Sequence, residues 1–259
     1  MLYPEVSYPT YAMGATLAGL RARAVPLLEG RLDLDSITTE DRERALVLWT
    51  NSPSNPTGRL DDLERAATWG RTHGVLVASD ECYADFTWRG DPRSILQHGE
   101  DGVLAVHSVS KRSNLAGLRA GFYAGDPEVV EYLRLVRQHA GLMVAAPVQA
   151  AVALAYRDDE HVEEQRARYR ARLSRLRRAL LEVNVECDDP EGAFYLWCRD
   201  PRRDGWALAA RLAEVAGVVS SPGEFYGSGE SGHVRIAVVQ PDERIELAAT
   251  RLEALAGDF

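Results

Sequence analysis

The sequence contains a single lysine, Lys111, among its 30 lysine and arginine residues. A lysine amine can lose its proton and condense with an aldehyde, whereas an arginine guanidinium stays protonated and forms no imine. In a chain that otherwise uses arginine for positive charge, one retained lysine indicates a task that arginine cannot perform. Lys111 is therefore a candidate nucleophile or proton-transfer residue, and the alternative is a chance remnant of the composition.

The elements that would position this lysine are strands and helices in alternation. Three continuous apolar runs predict buried parallel strands, because strands covered on both faces lack polar alternation. A helical segment, Leu60–His73, lies between the first two runs and would end at Gly74, which gives a βαβ unit. A further short strand is predicted at Ala120–Gly125. The apolar runs are Ala45–Thr50, Val75–Ser79 and Val103–His107.

A polar cluster follows each of the three apolar runs. Ser52–Gly58 (SPSNPTG) follows the first run, Asp80 and Tyr83 follow the second, and Ser108–Lys111 (SVSK) follows the third. Taken singly, these are ordinary turn and loop residues. Because ligands bind at the carboxyl ends of parallel strands, the three clusters together predict one shared site.

The chain after Pro127 is predicted to be mainly helical and to form a smaller second domain. We place the boundary near Ala140–Gln149, which divides the chain into residues 1–145 and 146–259. The longest predicted helix, Asp158–Glu182, is rich in arginine, but acidic residues balance these charges, and we interpret the arginines as a solvated face. The remaining predicted elements are Phe194–Trp197 and Val234–Val239 as strands, with Trp206–Ala216 and Pro241–Ala256 as helices.

The composition is that of an ordinary globular protein, with 46% hydrophobic residues and a formal net charge of −9. This acidity gives no general attraction to nucleic acid or to anionic membranes. No apolar run approaches the length of a membrane span, and no export signal is visible. Cys82, Cys187 and Cys198 show no metal or redox spacing. We therefore expect a cytoplasmic protein with reduced thiols and with no nucleic-acid or membrane partner.

The chain resembles the class I/II aminotransferases of pyridoxal 5'-phosphate (PLP) fold type I. The resemblance runs from the first residues to the last helix and depends on an ordered set of motifs: Asn55–Gly58 (NPTG), Asp80, Tyr83, Ser108–Lys111, Arg119 and Arg235. It implies an α/β large domain, a mainly parallel sheet with helices on both faces, and a smaller α+β C-terminal domain. It also implies PLP as the cofactor.

The resemblance assigns roles around the cofactor ring and the substrate. Lys111 would hold PLP through an imine and then move the α-proton of the substrate. Asp80 would keep the pyridinium nitrogen protonated. Tyr83 and Asn55 would hydrogen-bond the phenolic oxygen, and Asn55 would also contact the substrate. Arg235 would bind the substrate α-carboxylate through its guanidinium fork.

The resemblance also predicts how the phosphate and the face of the cofactor are held. Ser108, Ser110 and Arg119 would bind the phosphate, since a guanidinium suits this group. Tyr8 would stack on the cofactor, and Tyr11 is the neighbouring alternative. A core aromatic is the competing interpretation for either tyrosine.

Within the family, several segments resemble the actinobacterial succinyldiaminopimelate aminotransferases. These segments are Tyr8–Tyr11, Gly14, Leu17–Gly19 and Ser110–Gly117. The likeness implies N-succinyl-LL-diaminopimelate and 2-oxoglutarate as substrates in lysine biosynthesis, and a homodimer. In the family, an arm, a strand and a helix precede the Tyr8 region, and we expect that this N-terminal portion is missing here.

Three other functions compete with transamination. A fold-type-I carbon–sulfur β-lyase would use the same PLP residues. A ligand-sensing aminotransferase-like domain of a transcription regulator would need a DNA-binding module, which this acidic chain does not supply. An inactive aminotransferase fragment is the third alternative.

Overall fold

A computed structural model describes residues 1–255 and residue 259, and in this part of the chain two main sheets and a short hairpin are formed. The strands are β1 (Leu2–Pro4), β2 (Arg23–Val25), β3 (Leu27–Leu28), β4 (Arg31–Leu32), β5 (Val47–Asn51), β6 (Leu76–Asp80), β7 (Val103–Ser108), β8 (Gly121–Gly125), β9 (Glu186–Cys187), β10 (Tyr195–Arg199), β11 (Ser221–Pro222) and β12 (His233–Ala237). The α-helices are α1 (Thr10–Leu17), α2 (Thr39–Glu43), α3 (Leu63–His73), α4 (Val109–Arg112), α5 (Pro127–His139), α6 (Ala146–Arg157), α7 (Glu160–Glu182), α8 (Gly205–Ala216) and α9 (Asp242–Glu253).

The larger sheet has six strands in the order β2-β1-β5-β6-β7-β8. All neighbours are parallel except β7 and β8, which are antiparallel. The predicted α/β fold with a mainly parallel sheet is therefore confirmed. Strand β2 and the β3-β4 hairpin were not expected, because they are two or three residues long and carry exposed arginines in place of an apolar run.

Helix α3 connects β5 to β6 and lies where the sequence predicted a helix. It begins at Leu63 instead of Leu60, because the Asp62 side chain accepts a hydrogen bond from the backbone N–H of Arg65 and caps the helix there. It ends at Gly74, whose φ of 65° is left-handed, as predicted. Leu63, Ala66 and Ala67 form its buried face against the core of the larger sheet.

The smaller sheet is antiparallel, in the order β11-β12-β10-β9. Helices α7, α8 and α9 supply leucines that pack with this sheet in one hydrophobic cluster, including Leu173, Leu176, Leu208 and Leu212. A second cluster lies beneath the larger sheet around Leu48 and Val77. The predicted smaller α+β part is confirmed as an architecture, with β9 and β11 as additions. The end of the last predicted helix, at Ala256, lies outside the described residues.

Helix α6 contacts the larger sheet although it follows the predicted boundary at residue 145. The Arg112 guanidinium in α4 donates to the backbone oxygen of Ala155 at 2.7 Å, and the Tyr156 and Phe122 rings lie 5.0 Å apart. The division into residues 1–145 and 146–259 stays a prediction.

Two of the three cysteines do not match the expectation of reduced thiols. Cys187 in β9 and Cys198 in β10 form a disulfide. They are direct partners across the antiparallel pair, which brings their side chains together on one face. The expectation was wrong because their separation in sequence gave no sign of this pairing. Cys82 is a free thiol.

The described residues show neither a membrane-spanning helix nor a cluster of metal-binding side chains. Within residues 1–255, no helix is long and apolar enough to cross a membrane. Among the same described residues, no group of three or more histidine, cysteine, aspartate or glutamate side chains could hold a metal ion.

Asp61 is a half-buried carboxyl group that joins β5 to the β3-β4 hairpin. Its Oδ2 accepts a hydrogen bond from the Thr50 hydroxyl at 2.6 Å, and its Oδ1 accepts from the backbone N–H groups of Asp62 and Leu32. Burial raises the pKa of Asp61, and these hydrogen bonds only partly offset this effect. The folded state therefore holds the Asp61 proton more tightly than the unfolded chain does.

The substitution Asp61→Asn tests this linkage. Because the folded pKa is raised, the stabilising contribution of Asp61 is present below its ordinary pKa and is lost as pH rises through the raised value. We expect the free energy of unfolding of the parent to fall, relative to Asp61→Asn, as pH rises from about 4 to about 7 in urea titrations. Thr50→Ser keeps the hydroxyl and should retain the parent's slope. Parallel curves for the parent and Asp61→Asn would contradict the prediction.

Candidate active site

A cavity of about 630 Å³ opens at the carboxyl ends of β5, β6 and β7. The smaller sheet supplies its far wall through Tyr195 and Arg235. Six predicted site residues line it: Tyr8, Asn55, Asp80, Tyr83, Lys111 and Arg235. The remaining lining residues include Met1, Tyr11, Trp49, Asn51, Cys82, Val106 and Tyr195.

Asp80 is the last residue of β6, and two donors orient its carboxylate. The Tyr11 hydroxyl donates to Oδ2 at 2.8 Å, and the backbone N–H of Cys82 donates to Oδ1 at 3.2 Å. Burial and the neighbouring Asp80 raise the pKa of Tyr11 well above its ordinary value. Tyr11 therefore stays a neutral phenol and a donor, and each Asp80 oxygen keeps acceptor capacity for a further N–H.

Lys111 lies in α4, which begins directly after β7. The Ser108 hydroxyl accepts from the backbone N–H of Ser110 at 3.2 Å and caps this short helix. The next residue, Arg112, is buried and fixes α4 from behind through ion pairs with Asp85 and Asp159. The lysine is thereby held at the same edge of the sheet as Asp80.

A hydrogen-bonded chain joins the larger sheet to Arg235. The side chain of Asn51, at the end of β5, donates to the backbone oxygen of Asp80 at 2.9 Å and accepts from the backbone N–H of Asn55 at 2.8 Å. The Asn55 amide oxygen in turn accepts from Nη1 of Arg235 at 2.8 Å. Asn55 Nδ2 lies 3.5 Å from the Tyr83 hydroxyl, which completes the chain.

The Arg235 guanidinium can still donate a hydrogen bond through its Nε. Its Nε is buried and has no hydrogen-bond partner among the described residues. A buried unpaired donor on a guanidinium is costly unless an acceptor arrives from elsewhere. A carboxylate supplies the two acceptor oxygens that match this planar fork.

The structure does not bring the three predicted phosphate ligands into the cavity lining. Ser108 is the N-cap of α4, and Ser110 is the second residue of this helix. Arg119 is exposed, has a left-handed φ of 50°, and donates to the backbone oxygen of Ala116 at 2.9 Å. The phosphate role of these residues stays a prediction.

Sequence reasoning missed two aromatic residues of the site, Trp49 and Tyr195, and named Tyr11 only as the alternative to Tyr8. Tyr8 lines the cavity with 48% of its surface exposed, whereas Tyr11 is 7% exposed and bonded to Asp80. Trp49 packs on Tyr11 with ring centroids 5.4 Å apart, and Tyr195 lies across the cavity. Spacing gave no means of separating Tyr8 from Tyr11, because the two are three residues apart, Tyr8 just before the N-cap of α1 and Tyr11 within the helix.

Glu81, which immediately follows Asp80, fixes the end of β6 to β7. It is 1% exposed, and its Oε1 accepts from the backbone N–H of Ile95 at 2.7 Å. Its Oε2 lies 3.2 Å from Nε2 of His107, and its own N–H donates to the backbone oxygen of Val106 at 2.9 Å. These contacts hold Asp80 at a set distance from the strand that leads to Lys111.

Comparison with solved structures places the chain among the fold-type-I aminotransferases. A probable N-succinyldiaminopimelate aminotransferase from Thermus thermophilus superposes with a TM-score of 0.85 and 34% identity, over 98% of this chain and 70% of that one. The family model of the class I and II aminotransferases matches residues 1–252, so the chain belongs to this family.

Two sequence relatives are similar over nearly the whole chain. A probable aminotransferase of Mycobacterium tuberculosis is 44% identical over 97% of this chain and 60% of its own length. The 4-dedimethylamino-4-oxo-anhydrotetracycline transaminase of Streptomyces rimosus is 43% identical over 96% of this chain and 69% of its own length. The chain therefore spans less than two thirds of the first of these relatives.

Class I and II aminotransferases depend on PLP, and the residues of the cavity fit this cofactor. Lys111 offers an amine for its aldehyde, and Asp80 offers a carboxylate for its ring nitrogen. Tyr83 and Asn55 offer a phenol and an amide for its ring oxygen. This donor set matches the functional groups of PLP one by one.

The hydrogen bond between Tyr11 and Asp80 predicts a measurable effect on stability. Tyr11→Phe leaves a carboxylate oxygen without its donor, so the free energy of unfolding should fall by about 1 to 3 kcal/mol in urea titrations. Tyr8→Phe removes a hydroxyl from a half-exposed ring and should change stability by less than about 0.5 kcal/mol. Equal effects of the two substitutions would show that the Tyr11 hydroxyl does not hold Asp80.

Proposed function

We propose that this chain carries the site of a PLP-dependent aminotransferase, which moves an amino group from an amino acid to a 2-oxo acid. One observation carries the proposal: one cavity is surrounded by the single lysine of the sequence, a strand-end carboxylate, and an arginine whose buried Nε has no partner in the part of the chain that the structure describes. Each group has a separate task in transamination.

The residues of the larger sheet would act on the cofactor and the reacting carbon. PLP, when bound, withdraws electrons from the substrate α-carbon. The Lys111 amine would hold the cofactor aldehyde and, once displaced by the substrate amine, accept the α-proton and return it to the neighbouring carbon. The Asp80 carboxylate would hold a proton on the ring nitrogen, while Tyr83 and Asn55 would donate to the ring oxygen.

The residues of the smaller sheet would orient the substrate. Arg235 would bind the α-carboxylate through its fork, and the Asn55 amide oxygen would keep the guanidinium plane in place. A fixed carboxylate leaves the α-proton directed toward Lys111, which is the positioning that proton transfer needs. We extend the proposal to phosphate binding by Ser108, Ser110 and Arg119, to ring stacking by Tyr8, and to a homodimer.

For the substrate pair we propose N-succinyl-LL-diaminopimelate and 2-oxoglutarate in lysine biosynthesis. The support is the likeness of the Tyr8–Tyr11 and Ser110–Gly117 segments to that subfamily, together with the Thermus neighbour named above. The Streptomyces relative is named for a tetracycline intermediate, so this level of identity does not select one amino acceptor. Carbon–sulfur β-elimination is the second candidate, because it would use the same Lys111 and Asp80.

Single-turnover chemistry tests the proposed reaction. The PLP-loaded protein, mixed with N-succinyl-LL-diaminopimelate, should release one molecule of 2-oxo acid per bound cofactor and leave the cofactor as its amine, as measured by chromatography. Lys111→Arg keeps the charge but not the proton transfer, and it should release none within the same time.

The same assay separates the alternatives. Ammonia and pyruvate from cystathionine would indicate the β-lyase. No conversion with any amino donor, in a chain that carries PLP, would overturn transamination. Conversion with other amino donors only would overturn the proposed substrate but would still support transamination.

A further inference from the structure

Tyr195 is a buried residue of the cavity wall. It is the first residue of β10, opposite Ala237 of β12, and only 4% of its surface is exposed. Its hydroxyl oxygen lies 2.8 Å from that of Tyr83. Its ring lies beneath Arg235, with the guanidinium carbon 4.3 Å from the ring centroid. Tyr195 therefore contacts both Arg235, which is expected to bind the substrate carboxylate, and Tyr83, which is expected to bind the cofactor ring oxygen.

The surroundings of Tyr83 and Tyr195 favour one direction for the hydrogen bond between their hydroxyls. Burial raises the pKa of Tyr195 to about 12, while the pKa of Tyr83 is raised well above its ordinary value by burial and by Cys82 and Tyr195. Both hydroxyls remain protonated near neutral pH, so either one can donate to the other. The positive charge of Arg235 over the Tyr195 ring makes the Tyr195 hydroxyl the better donor, and the Tyr83 oxygen already accepts from the Asn55 amide. These contacts favour Tyr195 as the donor to Tyr83, and this direction leaves the Tyr83 proton free to point into the cavity.

Two aromatic rings contact the Arg235 guanidinium. Besides Tyr195, Tyr226 lies close to it, with the guanidinium carbon 4.9 Å from that ring centroid. Two cation–π contacts restrict the orientation of the guanidinium plane. Within that plane Nη1 is taken by Asn55, and the unpaired Nε is left for an incoming acceptor. The plane is therefore set before a carboxylate arrives.

We propose that Tyr195 is a positioning residue with two separable parts. Its ring holds Arg235 flat for the α-carboxylate of the amino acid, and its hydroxyl turns the Tyr83 proton toward the cavity. The inference rests on the proposed function for the identity of the two ligands. Its two parts nevertheless predict different results for substitutions of the same residue.

The ring part is tested on the cofactor-free chain. Calorimetry would compare the binding of 2-oxoglutarate to the parent, Tyr195→Phe and Tyr195→Leu. Tyr195→Phe keeps the ring and should bind within about twofold of the parent, whereas Tyr195→Leu should bind more weakly, on the order of tenfold. Tyr169→Phe is the matched control, because it removes one buried hydroxyl hydrogen bond, to Asn114, without touching Arg235 or Tyr83.

The hydroxyl part is tested on the PLP-loaded chain by the pH midpoint of its visible absorption. A donor to the ring oxygen stabilises the deprotonated form of the lysine-bound cofactor. Tyr195→Phe should therefore raise the midpoint above that of the parent, and Tyr169→Phe should leave it unchanged. Circular dichroism of each variant checks that the fold is kept.

The outcomes separate this inference from the proposed function. Equal 2-oxoglutarate affinities for the parent and Tyr195→Leu, or no measurable binding by the parent, would overturn the ring part. An unchanged midpoint in Tyr195→Phe would overturn the hydroxyl part. Failure of the PLP-loaded parent to convert any amino donor would overturn the proposed reaction but would leave the 2-oxoglutarate comparison valid.

Discussion

The parallel pairing of β5, β6 and β7 is the constraint on which the site depends. The register sets Asn51 opposite Asp80 and Asp80 opposite Val106. The polar residues at the carboxyl ends of the three strands therefore lie at one edge of the sheet. A shift of one residue would turn the Asp80 side chain to the other face of the sheet. Glu81 fixes this register beyond the last backbone hydrogen bonds by reaching both Ile95 and His107. Lys111 then follows β7 within a single helical turn.

The second requirement is a close approach of the smaller sheet to this edge. Gly58 and Gly192 allow it, because a side chain at Gly58 would meet the Gly192 oxygen at 2.8 Å, and one at Gly192 would meet Pro53 at 2.4 Å. The two glycines are also joined by a backbone hydrogen bond of 2.8 Å. Arg235 can therefore reach Asn55 across the gap. The carboxylate ligand and the lysine are carried by different sheets, and this contact sets the distance between them.

Much of this arrangement could be predicted from the sequence, for physical reasons that differ between elements. Strands β5, β6 and β7 are long apolar runs, and helix α3 has its own capping residues, so each is specified locally. Strand β9 is only two residues long and is specified only by what packs against it. Tyr195 and Tyr11 act through contacts made across the cavity, and such contacts leave no spacing signal in the chain. The sequence therefore located the strand ends and the polar residues on them, but not the aromatic residues that orient those groups.

Borohydride reduction of the chain in the presence of PLP tests the central claim most directly. Because the sequence has one lysine, imines can form only at Lys111 and at the α-amine of Met1, which also lines the cavity. Mass spectrometry of the digested product should find the pyridoxyl group on Lys111, and Lys111→Ala should lose it while Tyr132→Phe, on the exposed face of α5, keeps it. A pyridoxyl group found only on Met1, or none at all, would contradict the assignment of Lys111 as the cofactor lysine of this chain.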